Sequence, residues 1–190
     1  MKKLFFIVGI FFFSITSSFA VFFIDAKGDY ITTGDFEPVT GFGLGIGFDL
    51  TDDVNFLIRC STATNTENKG AIDEMRYDYS TVTGGIEYIP SIPALDNYRI
   101  HWKNSLNLGA SMFELDVENA TDGKDSETGF IASFCTGLQF DFTQTVAPFF
   151  DLGYHKSFYS STSDLSINGW QAALGVRFFI CGSRNYDAGY

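Results

Sequence analysis

Bulky apolar side chains alternate with small or polar ones through most of this chain. The clearest case is Phe42, Leu44, Ile46, Phe48 and Leu50, interleaved with Gly41, Gly43, Gly45, Gly47 and Asp49. In a strand, side chains i and i+2 share a face, so this period puts large apolar groups on one side and almost nothing on the other. Seven further segments repeat the pattern. The expected strands are about 21–32, 39–50, 53–63, 75–89, 98–113, 128–142, 146–158 and 167–180. Only the outer half of the fourth resists, because Tyr77 and Tyr79 fall on the polar parity; it fits only if a β-bulge intervenes, which the sequence leaves open. After residue 20 no stretch has helical period or is apolar enough to cross a membrane as a helix.

The connections alternate too. Thr51-Asp52-Asp53 and Thr143-Gln144-Thr145 are tight, and Pro90 to Asn97 is marked by prolines. At the other end lie polar loops at about 33–38, 64–74, 114–127 and 159–166. Tight turns at one end and longer polar loops at the other are the signature of a barrel threaded through an outer membrane.

The first 20 residues carry Lys2 and Lys3, an apolar run from Leu4 to Phe13, and small residues ending Ser18-Phe19-Ala20. This is the layout of a secretory signal cleaved after Ala20, the alternative being an uncleaved anchor. The expected organisation is a signal peptide at 1–20, a barrel at 21–180 and a short periplasmic tail at 181–190. Loss of two lysines leaves 10 basic residues against 23 acidic ones, a formal charge of −13, which excludes nucleic acid as a partner. Cys60, Cys135 and Cys181 lack zinc or redox spacing and read as free thiols.

A lipocalin-like barrel or β-sandwich would also alternate, with its bulky face inward. The signal segment, strands of ten or more residues and a polar face of glycines and mixed charges favour the membrane. The expected fold class is all-β, an eight-stranded antiparallel up-and-down transmembrane β-barrel. Inside it would lie Asp25, Asp29, Asp49, Glu87, Asp141 and Asp151 with Lys27, Arg59, Arg99, Lys103 and Arg177. Enclosed charges must pair, so this set reads as a salt-bridged network closing the lumen. Tyr30, Trp102, Tyr154 and Trp170 are candidates for interfacial girdles.

In strand number, loop asymmetry and size the chain resembles the small outer-membrane proteins of the OmpX and OmpA-barrel type, over essentially the whole mature segment. The resemblance implies outer-membrane lipid and the barrel-insertion machinery as partners, and a monomer. In such proteins an aromatic residue usually ends the last strand and the chain; here Phe178 and Phe179 are followed by Ile180 and a tail. His155 and Ser157 look like the pair in outer-membrane lipid A deacylases of the PagL type. The glutamate of that family is missing: Gly169 and Gln171 stand on the next strand and Asp164 in the loop. An interior hydrogen-bonding role is therefore expected for His155, as for His101. The carboxylates of Asp122 to Glu127 lack a calcium loop's spacing, and no catalytic residue, cofactor or metal is expected. The expected function is a structural, surface-exposed envelope protein serving adhesion or integrity, with an extracellular ligand possible at its four loops. Alternatives are an OmpW-like conduit for small hydrophobic molecules and a periplasmic β-barrel or β-sandwich binding protein.

Overall fold

The computed structural model describes residues 21–34, 37–67, 74–117, 124–159 and 167–181. The signal segment with Ala20, the outermost loop residues and the tail beyond 181 lie outside them. Eight strands follow one another: β1 (Phe22–Ile31), β2 (Val39–Asp49), β3 (Val54–Glu67), β4 (Met75–Tyr88), β5 (Ile100–Val117), β6 (Lys124–Phe140), β7 (Val146–Tyr159) and β8 (Asn168–Cys181). Each pairs antiparallel with the next, and β8 returns to β1, closing the barrel. A single helical turn, α1 (Pro93–Asp96), fills the proline-marked connection.

The register fixes the tilt. Starting at Phe22, the paired positions run Phe48, Phe56, Ile86, Leu106, Phe134, Tyr154 and Trp170, and return to β1 opposite Thr32. One circuit thus climbs from residue 22 to residue 32. Ten residues at ~3.3 Å, set against eight strands at ~4.8 Å spacing, incline the strands by about 40° to the axis, within the usual range for barrels.

Even-numbered side chains face outward and odd-numbered ones inward along all eight strands, among the side chains described. The outward row is apolar over a limited height. On β3 it changes from Ile58 and Cys60 to Thr62 and Thr64, on β4 from Ile86 and Val82 to Ser80 and Asp78, and on β5 from Leu108 and Met112 to Glu114 and Asp116. A tilted strand needs only about 9–11 residues to cross hydrocarbon. The 18 residues of β5 and 17 of β6 therefore extend beyond the belt.

Two expectations are corrected here. The loops expected at 64–74 and 114–127 are strand at their edges, since β3 runs to Glu67 and β5 and β6 pair as far as Asp116 and Lys124. Past the membrane the outward row turns polar, which erases the apolar alternation without breaking the hydrogen-bond ladder. No bulge interrupts β4, whose register with both neighbours is continuous from Met75 to Tyr88. Tyr77 and Tyr79 simply point into the barrel, both fully buried.

Candidate functional site

The interior is filled in layers. At the end where β1 begins and β8 stops, the periplasmic end in the topology expected from the sequence, Val21, Phe23, Leu57, Ala147 and Phe179 pack together. The inward face of β2 is nearly all glycine, and the neighbouring strands use the vacated space. A Cβ at Gly47 would strike the Phe23 ring and the Phe56 carbonyl oxygen, and one at Gly45 would press on Arg59 Cγ at 3.0 Å.

Above this floor lies an ionic layer. Arg177, wholly buried, donates from Nε to Asp25 Oδ1 at 2.7 Å, from Nη1 to Glu87 Oε1 at 2.7 Å and to Gln139 Oε1 at 3.1 Å. Arg59 reaches the same two carboxylates at 3.4 and 3.5 Å. Lys103 bonds Asp151 at 2.9 Å and lies 3.6 Å from Glu87. The layer is neutral, Asp25, Glu87 and Asp151 balancing Arg59, Lys103 and Arg177. Isolated, each of these charges would be several kcal/mol unfavourable in so dry a site; together they are compensated. Aromatic rings join the two layers: the Arg177 guanidinium lies 3.8 Å over Phe23, and the Lys103 ammonium 3.8 Å over Phe149.

Higher still is a polar cavity of about 30 Å³, room for about two waters. Lys27 and Asp29, paired at 2.8 Å, line it with Asn107, Ser133 and Gln171. At the extracellular mouth an apolar cluster of Ile31, Val39, Ala63, Tyr77, Tyr79, Phe113, Ile131 and Ile167 completes the filling. Parity alone did not signal this cluster, because an apolar inward residue looks the same as a misplaced outward one.

Of the sequence-derived charges, the structure brings Asp25, Arg59, Glu87, Lys103, Asp151 and Arg177 into one network. Lys27 and Asp29 form a separate pair above it. Asp49 is half-buried at the periplasmic end of β2, and Asp141 meets His101 Nε2 at 3.1 Å at that same end. Arg99 is a correction. It precedes β5 in the turn after α1, exposed, with a positive φ of 57°, and is held through its backbone: its amide donates to the Asp96 carbonyl and its carbonyl accepts from the Asp141 amide. His155 is a second correction: fully buried, it packs on Tyr79 with ring centroids 5.9 Å apart, and neither ring nitrogen has a hydrogen-bond partner among the described residues. The Ser157 hydroxyl bonds Tyr79 at 2.8 Å instead, so the His-x-Ser pair is not assembled for nucleophile activation. Cys135 is buried inside and Cys60 faces outward, both free. Asp122 lies outside the described residues.

The outer surface carries the opposite chemistry. Phe42, Leu44, Ile46, Phe150, Leu152 and Leu174 are among many large apolar side chains turned outward, Leu174 being 70% exposed. Trp102 marks the periplasmic side of this belt and Tyr30, Tyr154 and Trp170 the extracellular side, all exposed. Two of them have their polar ends engaged: Trp102 Nε1 donates to Thr136 at 2.8 Å and Tyr154 Oη to Asn168 at 3.2 Å. So large a continuous apolar surface is incompatible with water, and a closed sheet leaves no strand edge unpaired in hydrocarbon. The fold and belt together define an eight-stranded outer-membrane β-barrel.

Solved structures share this fold. A major outer membrane protein from Thermus thermophilus superposes with a TM-score of 0.57 at 12% identity, covering 85% of this chain and 99% of that one. Neisserial surface protein A does so at 0.52 and 16%, covering 85% and 97%. Ail, the attachment invasion locus protein of Yersinia pestis, does so at 0.51 and 15%, covering 84% and 97%, and has also been solved with the heparin analogue sucrose octasulfate. No family model matches the chain, and no curated protein gives a significant sequence match.

Proposed function

We propose that this chain is an integral protein of the bacterial outer membrane whose filled lumen passes no solute, and that it serves as a structural, surface-exposed envelope protein acting through its four outer loops. The observation that carries this reading is the stacked interior of the described residues: an apolar floor, a neutral ionic layer and an aromatic cap, with a cavity of about 30 Å³ between the last two. Lumen and loops then have separate duties. The first anchors, and the second makes contact.

The loops also constrain the chemistry of a partner. Segments 33–38, 64–74, 114–127 and 159–166 contain 12 acidic and 2 basic residues, so 10 of the 13 net negative charges sit at the extracellular end. Ail is known in complex with a heparin analogue. A sulfated ligand of that kind would be repelled here, and the loops suit a neutral or cationic surface.

Swelling of liposomes containing the folded protein in a small sugar tests the closed lumen. The expected rate is that of empty vesicles, and a rate clearly above it would overturn the reading. The apolar mouth formed by Tyr77, Tyr79 and Phe113 favours a second reading, a conduit for small hydrophobic molecules. That reading requires such a probe to enter the mouth and leave sideways into the belt, since the ionic layer blocks the axis. A brominated alkane that quenches the lipid-facing Trp102 and Trp170 but leaves the emission added by Tyr79→Trp unquenched would count against it.

A further inference from the structure

Lys156 is the only basic side chain on the outward apolar row of the belt among the described residues. It stands on β7 between Tyr154 and Phe158, with Ala132 and Asn168 beside it on the flanking strands. Arg76, also outward but above the belt, is paired with Asp78 at 3.3 Å. No described carboxylate pairs with Lys156. Its ammonium lies 5.1 Å from the centroid of the Phe158 ring. Immediately below, Tyr154 and Trp170 meet edge-on at 5.7 Å, with the tyrosine hydroxyl tied to Asn168.

These neighbours fix its height. The apolar row of β7 ends at Phe158, and Tyr154 and Trp170 are the extracellular girdle. Lys156 is therefore at the level of the lipid headgroups, where a long alkyl stem lies along apolar surface and its charge reaches the polar layer. At that height β2, β3 and β4 present the neutral Thr40, Thr62 and Ser80. A chain this acidic would gain nothing from an ordinary annulus of anionic lipid. One cation with no carboxylate partner among the described residues, set in an aromatic frame, selects a point.

We propose that Lys156, framed by Tyr154, Phe158 and Trp170, holds a phosphate group of one outer-leaflet lipid against the β6, β7 and β8 face. An ammonium is a compact phosphate partner, and charge-assisted bonds of this type are strong where water is scarce. The proposal rests on the outer-membrane reading above.

Native mass spectrometry of the folded protein in detergent, titrated with diphosphorylated lipid A, tests it. One bound lipid per wild-type barrel is expected, with affinity about tenfold weaker in Lys156→Gln. Lys156→Arg is expected to retain binding and Arg76→Gln to leave it unchanged. Equal binding by Lys156→Gln and wild type would overturn the proposal. Displacement by inorganic phosphate in hundredfold excess would overturn the lipid as source. The same samples are run boiled and unboiled in SDS beforehand: a wild type whose mobility does not change on boiling overturns the membrane reading itself, and a Lys156→Gln variant that shifts like wild type shows that lost binding is not lost folding.

Discussion

Two arginines with opposite environments test the interior at the scale of single residues. Arg177→Met removes the group shared by Asp25 and Glu87 and leaves both carboxylates in a dry site, so a loss of about 3–5 kcal/mol is expected. Urea titration of the boiling-dependent gel shift measures it. Adding Asp25→Asn and Glu87→Gln should restore part of the loss, because the stranded charges go with the arginine. Arg99→Gly should leave stability unchanged or raise it by less than about 1 kcal/mol, since glycine accepts the positive φ that an arginine side chain strains. A large loss at Arg99 would return it to the ionic network. Its misplacement has a simple cause: alternation carried the expected strand back to residue 98, whereas the turn of α1 keeps the strand from starting before Ile100.

The strands themselves show how much was readable and where it stopped. Within the belt the two faces differ chemically, so period two revealed eight strands, their order and the inward charges. Outside it both faces change, and the signal fades while the ladder continues. Tyr77 and Phe113 belong to that zone; their rings stack at 6.3 Å inside the mouth although their parity marks them as polar positions. Parity was right, and the assumption that inward means polar was not. His155 failed differently, because no sequence rule tells whether a buried imidazole will find a partner. The glycine face of β2 is where sequence and packing agree most directly. Gly47→Leu would drive a side chain into Phe23 and the backbone of Phe56, and a loss of at least about 1–3 kcal/mol is expected in the same urea titration. A neutral result would mean that Phe23 has another rotamer open to it.

For the whole molecule, the proposed closure rests on the ionic layer more than on the cap above it. Tyr79→Ala opens the cap but leaves the ionic layer intact, so vesicle swelling should stay at the baseline of empty liposomes. Lys103→Ala with Arg177→Ala removes two of the three cations around Glu87 and leaves only Arg59 at 3.5 Å, and swelling should rise above that baseline. If the cap variant alone leaks, the seal lies at the mouth and not at the charges.

The Arg177 and Asp25 pair joins β8 to β1, residues separated by 152 positions in sequence. The neutral layer therefore cannot exist until the last strand has met the first, and every earlier stage of assembly exposes buried charge without its counter-ion. Hairpins such as β5 and β6 can form from near neighbours, but an open sheet of seven strands would meet hydrocarbon with Asp25 and Glu87 lacking their main partner. This closure argues for assembly in one cooperative step, and a chain truncated before residue 177 is expected to remain protease-sensitive at the membrane surface, however many of its hairpins have already formed.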